Sequence, residues 1–185
     1  MKTLNIIGMS GSLRARSYNT SLLRAAEQYA PEYGMQINVV DVGSLPLFNE
    51  DNERSLPEAV TALKERIKGA DGILFVTPEY NYSISGSLKN AIEWGTRPHA
   101  DNSFDGKPAG IMSVSTGILG GVRAQYHLRQ ILVGPNMYVM NHPEVMVSMA
   151  KEKFSEEGEL IDLETQKKVK EFLTAFAAWV KIFKK

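Results

Sequence analysis

The chain has 185 residues, with 21 Lys and Arg against 21 Asp and Glu, and no cysteine. Its length suits one domain with a full hydrophobic core, and 43% hydrophobic with 23% charged residues is the composition of neither a disordered chain nor a membrane span. The missing cysteines exclude disulfides, zinc–thiolate sites, cysteine-ligated iron–sulfur clusters and thiol nucleophiles, and zero net charge argues against bulk attraction to nucleic acid or anionic membrane.

At the start, Met1-Lys2-Thr3 leads into a short apolar run, and Arg14 and Arg16 follow almost at once. A secretory segment would be longer, and no stretch approaches the roughly 18–20 apolar residues a bilayer requires. The expectation is a cytoplasmic chain without membrane insertion. Thr3 to Gly8 reads as a buried strand cut off by Gly8, Ser10, Gly11 and Ser12. From Asn19 the spacing turns helical, with Leu22, Leu23, Ala26 and Tyr29 on one face until Pro31 and Gly34. Met35 to Val42 is a second strand, and Gly43 to Leu56 a loop. Pro57 fits the first turn of a helix running to about Lys68.

Gly72 to Thr77 is a continuous apolar run, as a strand covered on both faces requires. Ser87 to Trp94 is the next helix and Ala109 to Val114 the fourth strand. A helix over Val122 to Leu132, a fifth strand over Met137 to Met140 and a last helix over Asp162 to Phe183 complete the pattern. Alternating strands and helices imply one domain over 1–185, a five-stranded parallel α/β sheet with helices on both faces.

Ligands of such sheets sit outside the carboxyl ends of the strands. After strand one, the stretch from Gly8 to Thr20 combines glycines, hydroxyls, arginines and a helix start. Free N–H groups and the helix dipole make an anion site there, with Ser12, Ser17, Asn19 and Thr20 as hydrogen-bonding groups and Arg14 as the charge. The alternative is a solvated turn with an Asn cap. The stretch lacks the G-x-G-x-x-G of a dinucleotide fold, the Gly-Lys-Ser/Thr of a P-loop and the G-x-S-x-G of a hydrolase elbow. A phosphate monoester held without metal is the chemistry left. After strand three, Thr77 to Ser83 combines a rigid proline, two tyrosines and polar groups, suited to a planar ring. After strand four, the glycines of Ser115 to Gly121 permit close backbone approach to a ligand.

Gly11-Ser12-Leu13-Arg14, Ser17-x-Asn19, Thr77-Pro78-Glu79-Tyr80-Asn81, Leu88-Lys89-Asn90-Ala91-Ile92-x-Trp94 and the run from Arg123 to Gln130 together resemble the NADPH-dependent FMN reductase family, in its bacterial chromate/quinone reductase branch. The resemblance covers nearly the whole chain. It implies a flavodoxin-like fold with sheet order 2-1-3-4-5 and FMN held non-covalently. Ser12, Arg14, Ser17, Asn19 and Thr20 would hold the FMN phosphate. Pro78, Glu79, Tyr80 and Asn81 would line the isoalloxazine and ribityl region, with Ser115 and Gly117 on the ring's other side.

The implied activity is ping-pong transfer from NADPH or NADH to a small-molecule electron acceptor: a quinone, a flavin or a chromate-like species. No side chain is required as acid, base or nucleophile, so no catalytic residue is assigned. His99, His127 and His142 lack metal-ligand spacing, and no metal is expected. The family forms dimers and tetramers, which makes the Leu45 to Glu53 loop and the Arg123 to Gln130 helix candidate interface elements of a homodimer or homotetramer. Two alternatives remain, a flavodoxin-like electron carrier and an FMN-binding module without NAD(P)H activity. The balanced charge speaks against an acidic carrier.

Overall fold

The computed structural model describes residues 3–184; Met1 and Lys2, on which the expectation for the N-terminus partly falls, lie outside the described residues. In chain order the elements are β1 (Leu4–Ser10), α1 (Tyr18–Tyr29), β2 (Met35–Val40), α2 (Glu58–Lys68), β3 (Gly72–Thr77), α3 (Gly86–Thr96), β4 (Pro108–Val114), α4 (Val122–Ile131), β5 (Tyr138–Val139), β6 (Val145–Val147), α5 (Ala150–Lys153) and α6 (Leu163–Phe183). All strand pairs are parallel and run β2-β1-β3-β4-β5, with β6 also on β4. The sheet is the flavodoxin-like one that the resemblance implies.

Period-two alternation sends neighbouring strand residues to opposite layers. Leu4, Ile6, Leu74, Val76, Met112 and Val114 pack with α1 and α6. Ile7, Met9, Ile73, Phe75, Ala109 and Ile111 pack with α2, α3 and α4. Because both layers are dry, β3 and β4 are buried at every position. A side chain on Gly110 would put its Cβ 2.8 Å from Phe172, so this glycine is what lets α6 lie close on the sheet.

Three expectations change. The fifth strand is two short pieces rather than one over Met137 to Met140. β5 pairs with Pro108 and Ala109, β6 with Met112 to Val114, and residues 140–144 bulge between them. Pro143 has no N–H to give a ladder, which favours the break. Pro57 is the N-cap of α2 rather than part of its first turn. The helix after β1 is capped by Ser17, not by Asn19.

Two charged side chains hold connections. Lys64 is buried and donates to the carbonyls of Arg97 (2.7 Å) and Asp101 (2.6 Å), fixing the chain that leaves α3. Burial lowers its pKa, against the opposing pull of Asp101. Asp162 caps α6, accepting from the Thr165 hydroxyl (2.5 Å) and N–H (2.9 Å). Those bonds, with Lys153 at 3.1 Å, bring its pKa down to about 2.

Candidate functional site

The chain passes from β1 outward to β2, then returns across β1 to β3, so the strand order reverses between β1 and β3. Loops leaving such a point diverge and open a crevice at the carboxyl ends of the strands. The three loops singled out in the sequence leave β1, β3 and β4 at this end.

The first is built by capping. Ser17, 4% exposed, accepts from the Thr20 N–H at 3.2 Å and keeps its own hydroxyl proton to donate. Ser10 and Thr20 share a hydroxyl hydrogen bond of 2.9 Å, and the Gly11 N–H is tied to the Val76 carbonyl at 2.8 Å. Ser12 is buried beside them. The N–H groups of Tyr18 and Asn19 have no acceptor within the helix, and the first turn of α1 carries no acidic residue. Arg14, Arg16 and Arg24 are exposed and, among the described residues, none is ion-paired. They border a cleft of about 690 Å³ with Ser17 and Thr20, which Ser155, Gly158 and the acidic Glu156 and Glu157 also line. Ser12, Arg14, Ser17 and Thr20 are thus brought together around a positive helix terminus. The Asn19 side chain is not among them: it donates to the Val114 carbonyl (3.0 Å) and accepts from the Val114 N–H (3.1 Å), leaving only its main-chain N–H at the terminus.

The second loop is built by long-range contacts. Tyr80 and Ser83 exchange both backbone hydrogen bonds, at 2.9 and 3.0 Å, around Asn81 and Tyr82, whose φ values are 49° and 68°. Positive φ at both central residues defines a type I′ turn, normally Asn-Gly. A tyrosine in the second position stores strain of about 1–2 kcal/mol. Tyr80 and Tyr82 are exposed at 46% and 71%. Glu79 turns the other way. Its carboxylate accepts from the N–H groups of Arg123 (3.1 Å) and Ala124 (3.4 Å) and pairs with Arg123 Nε at 2.6 Å. Gly121, the N-cap of α4, has no side chain to do this, so Glu79 caps α4 from another loop.

In the third loop, the Ser115 N–H donates to the Val147 carbonyl (2.9 Å), and the Ser115 hydroxyl to the Gly117 carbonyl (3.2 Å). Gly120 and Gly121 have φ of 62° and 85°, and a Cβ on Gly121 would lie 2.8 Å from that of Ser113. Only glycine fits that pair of constraints. Ser115, Gly117, Ile118 and Leu119 share a crevice of about 310 Å³ with Glu79 and Arg123. Glu79, Ser115 and Gly117 therefore meet, with Pro78, Tyr80 and Asn81 on the adjoining turn.

The sequence reading places Tyr82 and Ser83 in the second loop but gives them no contact, and it gives Arg123 and His127 no part in the site. Arg123 stacks on Tyr82 with its guanidinium 3.9 Å from the ring centre, and Ser83 and His127 share a 2.7 Å hydrogen bond. The run from Arg123 to Gln130 was visible only as part of a motif; no spacing links it to residues 79–83. The other histidines stay apart from this end. His99 pairs with Arg97, and no group of three metal-ligating side chains occurs among the described residues.

A flavodoxin-like α/β protein, with a helix terminus free of acid in its first turn after β1 and glycine-containing loops after β4 at the same end of the sheet, is the class this geometry defines. The NADPH-dependent FMN reductase family matches residues 4–152, and the chain belongs to it. It is 45% identical over 179 residues to an NAD(P)H-dependent FMN reductase of Pseudomonas aeruginosa, covering 96% of each chain. It is 42% identical over 181 residues to a quinone reductase of Escherichia coli, covering 96% of this chain and 95% of that one. Among solved structures, the flavoenzyme NAD(P)H:(acceptor) oxidoreductase FerB of Paracoccus denitrificans superposes with a TM-score of 0.90 at 35% identity, covering 97% of this chain and 98% of the other. The chain is an oxidoreductase of this family.

Proposed function

We propose that the chain is an FMN-dependent NAD(P)H oxidoreductase acting on quinones, with free flavins and chromate-like oxidants as further acceptors. The observation that carries this reading is the unequal finish of two helix ends: α4 is capped by the protein's own Glu79, whereas the first turn of α1 carries no acid and Arg14, Arg16 and Arg24 beside it have no ion-pair partner among the described residues, Glu156 and Glu157 lining the same cleft. A dianionic phosphate fits the second and is repelled by the first.

In this reading Arg14, Ser12, Ser17 and Thr20, with the main-chain N–H of Asn19, hold the FMN phosphate. Pro78, Glu79, Tyr80 and Asn81 line one side of the ring region through their backbone, and Ser115 and Gly117 the other. FMN supplies two-electron chemistry, oxidising a nicotinamide and reducing an acceptor in turn. The protein's part is to hold, orient and shield: Ile118 and Leu119 give the crevice an apolar lining alongside the charged Glu79 and Arg123, and Gly117 leaves its backbone open to approach. No side chain is assigned a proton transfer.

The reading extends to the assembly. The Leu45 to Glu53 loop is docked on α3, with Pro46 accepting from Trp94 Nε1 (2.8 Å) and Asn90 Nδ2 (2.9 Å), and it leaves Leu47 85% exposed. On α4, Tyr126 is 56% exposed. Apolar groups presented outward on anchored elements support a homodimer or homotetramer; the reading takes the chain to be a single domain in the cytoplasm. No helix among the described residues is long and apolar enough to cross a membrane.

The test is the visible spectrum of the purified protein, followed by anaerobic NAD(P)H titration and turnover with a quinone, riboflavin and chromate. A yellow protein that consumes NAD(P)H steadily with quinone is the expected result. A colourless protein that takes up no added FMN overturns the reading. FMN binding without NAD(P)H oxidation makes the chain an electron carrier or binding module instead. Sedimentation equilibrium checks the assembly.

A further inference from the structure

The turn Tyr80–Ser83 carries two consecutive residues at positive φ, and neither is glycine. A conformation of that kind persists only where its surroundings over-determine it. Two contacts from α4 do this. Arg123 lies over the Tyr82 ring at 3.9 Å while its Nε is fixed to Glu79, and His127, one helical turn further on, binds the Ser83 hydroxyl at 2.7 Å. Residues four apart share a helix face, so the two side chains reach the turn from the same side. Both contacts are exposed, and neither belongs to the dry layer beneath α4, which is made by Ala124, Leu128 and Leu132. Core packing of α4 therefore does not require them.

We infer that Arg123 and His127 are positioning residues: from successive turns of α4 they hold the Tyr80–Ser83 turn in its strained form, and through it the backbone groups that face the flavin's polar edge. The inference rests on the FMN reading above and adds two residues to which that reading gives no part, although Arg123 borders the crevice of Ser115 and Gly117. The anchor acts on the shape of the site, and it divides the work: Arg123 holds the aromatic side of the turn, His127 its closing residue.

The experiment compares His127→Ala, Ser83→Ala, their double variant and Arg123→Met, each also in a Tyr82→Gly background for the His127 change. Three readouts are taken: FMN dissociation by fluorescence quenching, midpoint potential of the bound flavin, and urea unfolding of the apoprotein. Loss of either partner of the Ser83–His127 bond is expected to weaken FMN about tenfold, the effect of one hydrogen-bond-sized free energy, with the double variant no worse than either single. The potential should shift in the same variants while apoprotein unfolding moves little. With glycine at 82 the positive φ is no longer strained, so the His127→Ala loss should shrink to within about twofold. Unchanged FMN affinity and potential, additive losses in the double variant, or an unfolding shift alone would each overturn the anchor. Arg123→Lys should not rescue Arg123→Met, because an ammonium cannot both stack and fork; full rescue counts against the stacking role. If the wild type itself takes up no FMN, the functional reading falls first and the anchor with it. If the wild type binds and the variants are indifferent, only the anchor falls.

Discussion

The N-termini of α1 and α4 lie at the same end of the same sheet and are finished in opposite ways. α4 begins at a glycine and is closed by a carboxylate reaching in from residue 79; α1 begins at a neutral serine, has no acid in its first turn, and lies beside arginines that form no ion pair among the described residues although Glu156 and Glu157 line the same cleft. Each helix end carries about half a positive charge. Where the protein supplies the counter-charge itself, the terminus becomes a joint between loops; where it supplies none, the terminus is left for a ligand to neutralise. On the proposed reading, the anion site is marked as much by the acid missing from the helix's first turn as by the bases present.

Four measurements press on that contrast. The largest effect is expected from Glu79→Ala, which strips α4 of its cap and leaves Arg123 without its partner. Urea unfolding of the apoprotein should lose about 2–3 kcal/mol, and FMN affinity should fall as well. Arg14→Ala should behave differently, weakening FMN by about 1.5–3 kcal/mol in a fluorescence titration while leaving the apoprotein's unfolding midpoint unchanged. If Arg14→Ala destabilises the apoprotein as Glu79→Ala does, the two termini are not distinct. Ser17→Asp makes α1 resemble α4. The apoprotein should be as stable as wild type or slightly more so, yet FMN should bind about tenfold more weakly because the new carboxylate occupies the phosphate's electrostatic place.

The smallest effect belongs to a cap outside the site. Asp162 on α6 is held at a pKa of about 2, below the ordinary 3.8, by Thr165 and Lys153. A depressed carboxylate stabilises the fold above its unfolded pKa, and that contribution is lost as pH falls from about 4 towards 2. Asp162→Ala should therefore cost about 1 kcal/mol at pH 7 and nothing below pH 2, by chemical denaturation across that range, with FMN affinity unaltered.

The same two termini explain what could be read from the sequence. The proposed phosphate end lies within a dozen consecutive residues, and capping serines, glycines and arginines announce themselves locally. The ring end joins residues 79–83 to residues 123–127, and no periodicity or spacing connects them. Asn19 was legible as a site residue but not in its actual use, since nothing local indicates that its amide binds Val114, 95 positions on. In the fold, continuous apolar runs made β3 and β4 plain. β6 escaped because three residues, Val145 to Val147, after a proline-containing bulge are too short for a pattern. Lys64 reads as solvent-facing by residue type, and only the carbonyls leaving α3 explain its burial.

The Asn19–Val114 pair also bears on the order in which the molecule can be made. As the chain emerges from synthesis, β1 and α1 come first, with every group of the phosphate end present in sequence. Yet the helix end that would grip the phosphate is pinned by two hydrogen bonds to the last residue of β4, which appears 95 residues later. Closing so long a separation is entropically slow and waits on the intervening strand and helices. A half-made chain therefore has the residues of the proposed pocket but not the Asn19–Val114 tie that sets its geometry, and on the proposed reading cofactor capture would wait until the central sheet is complete.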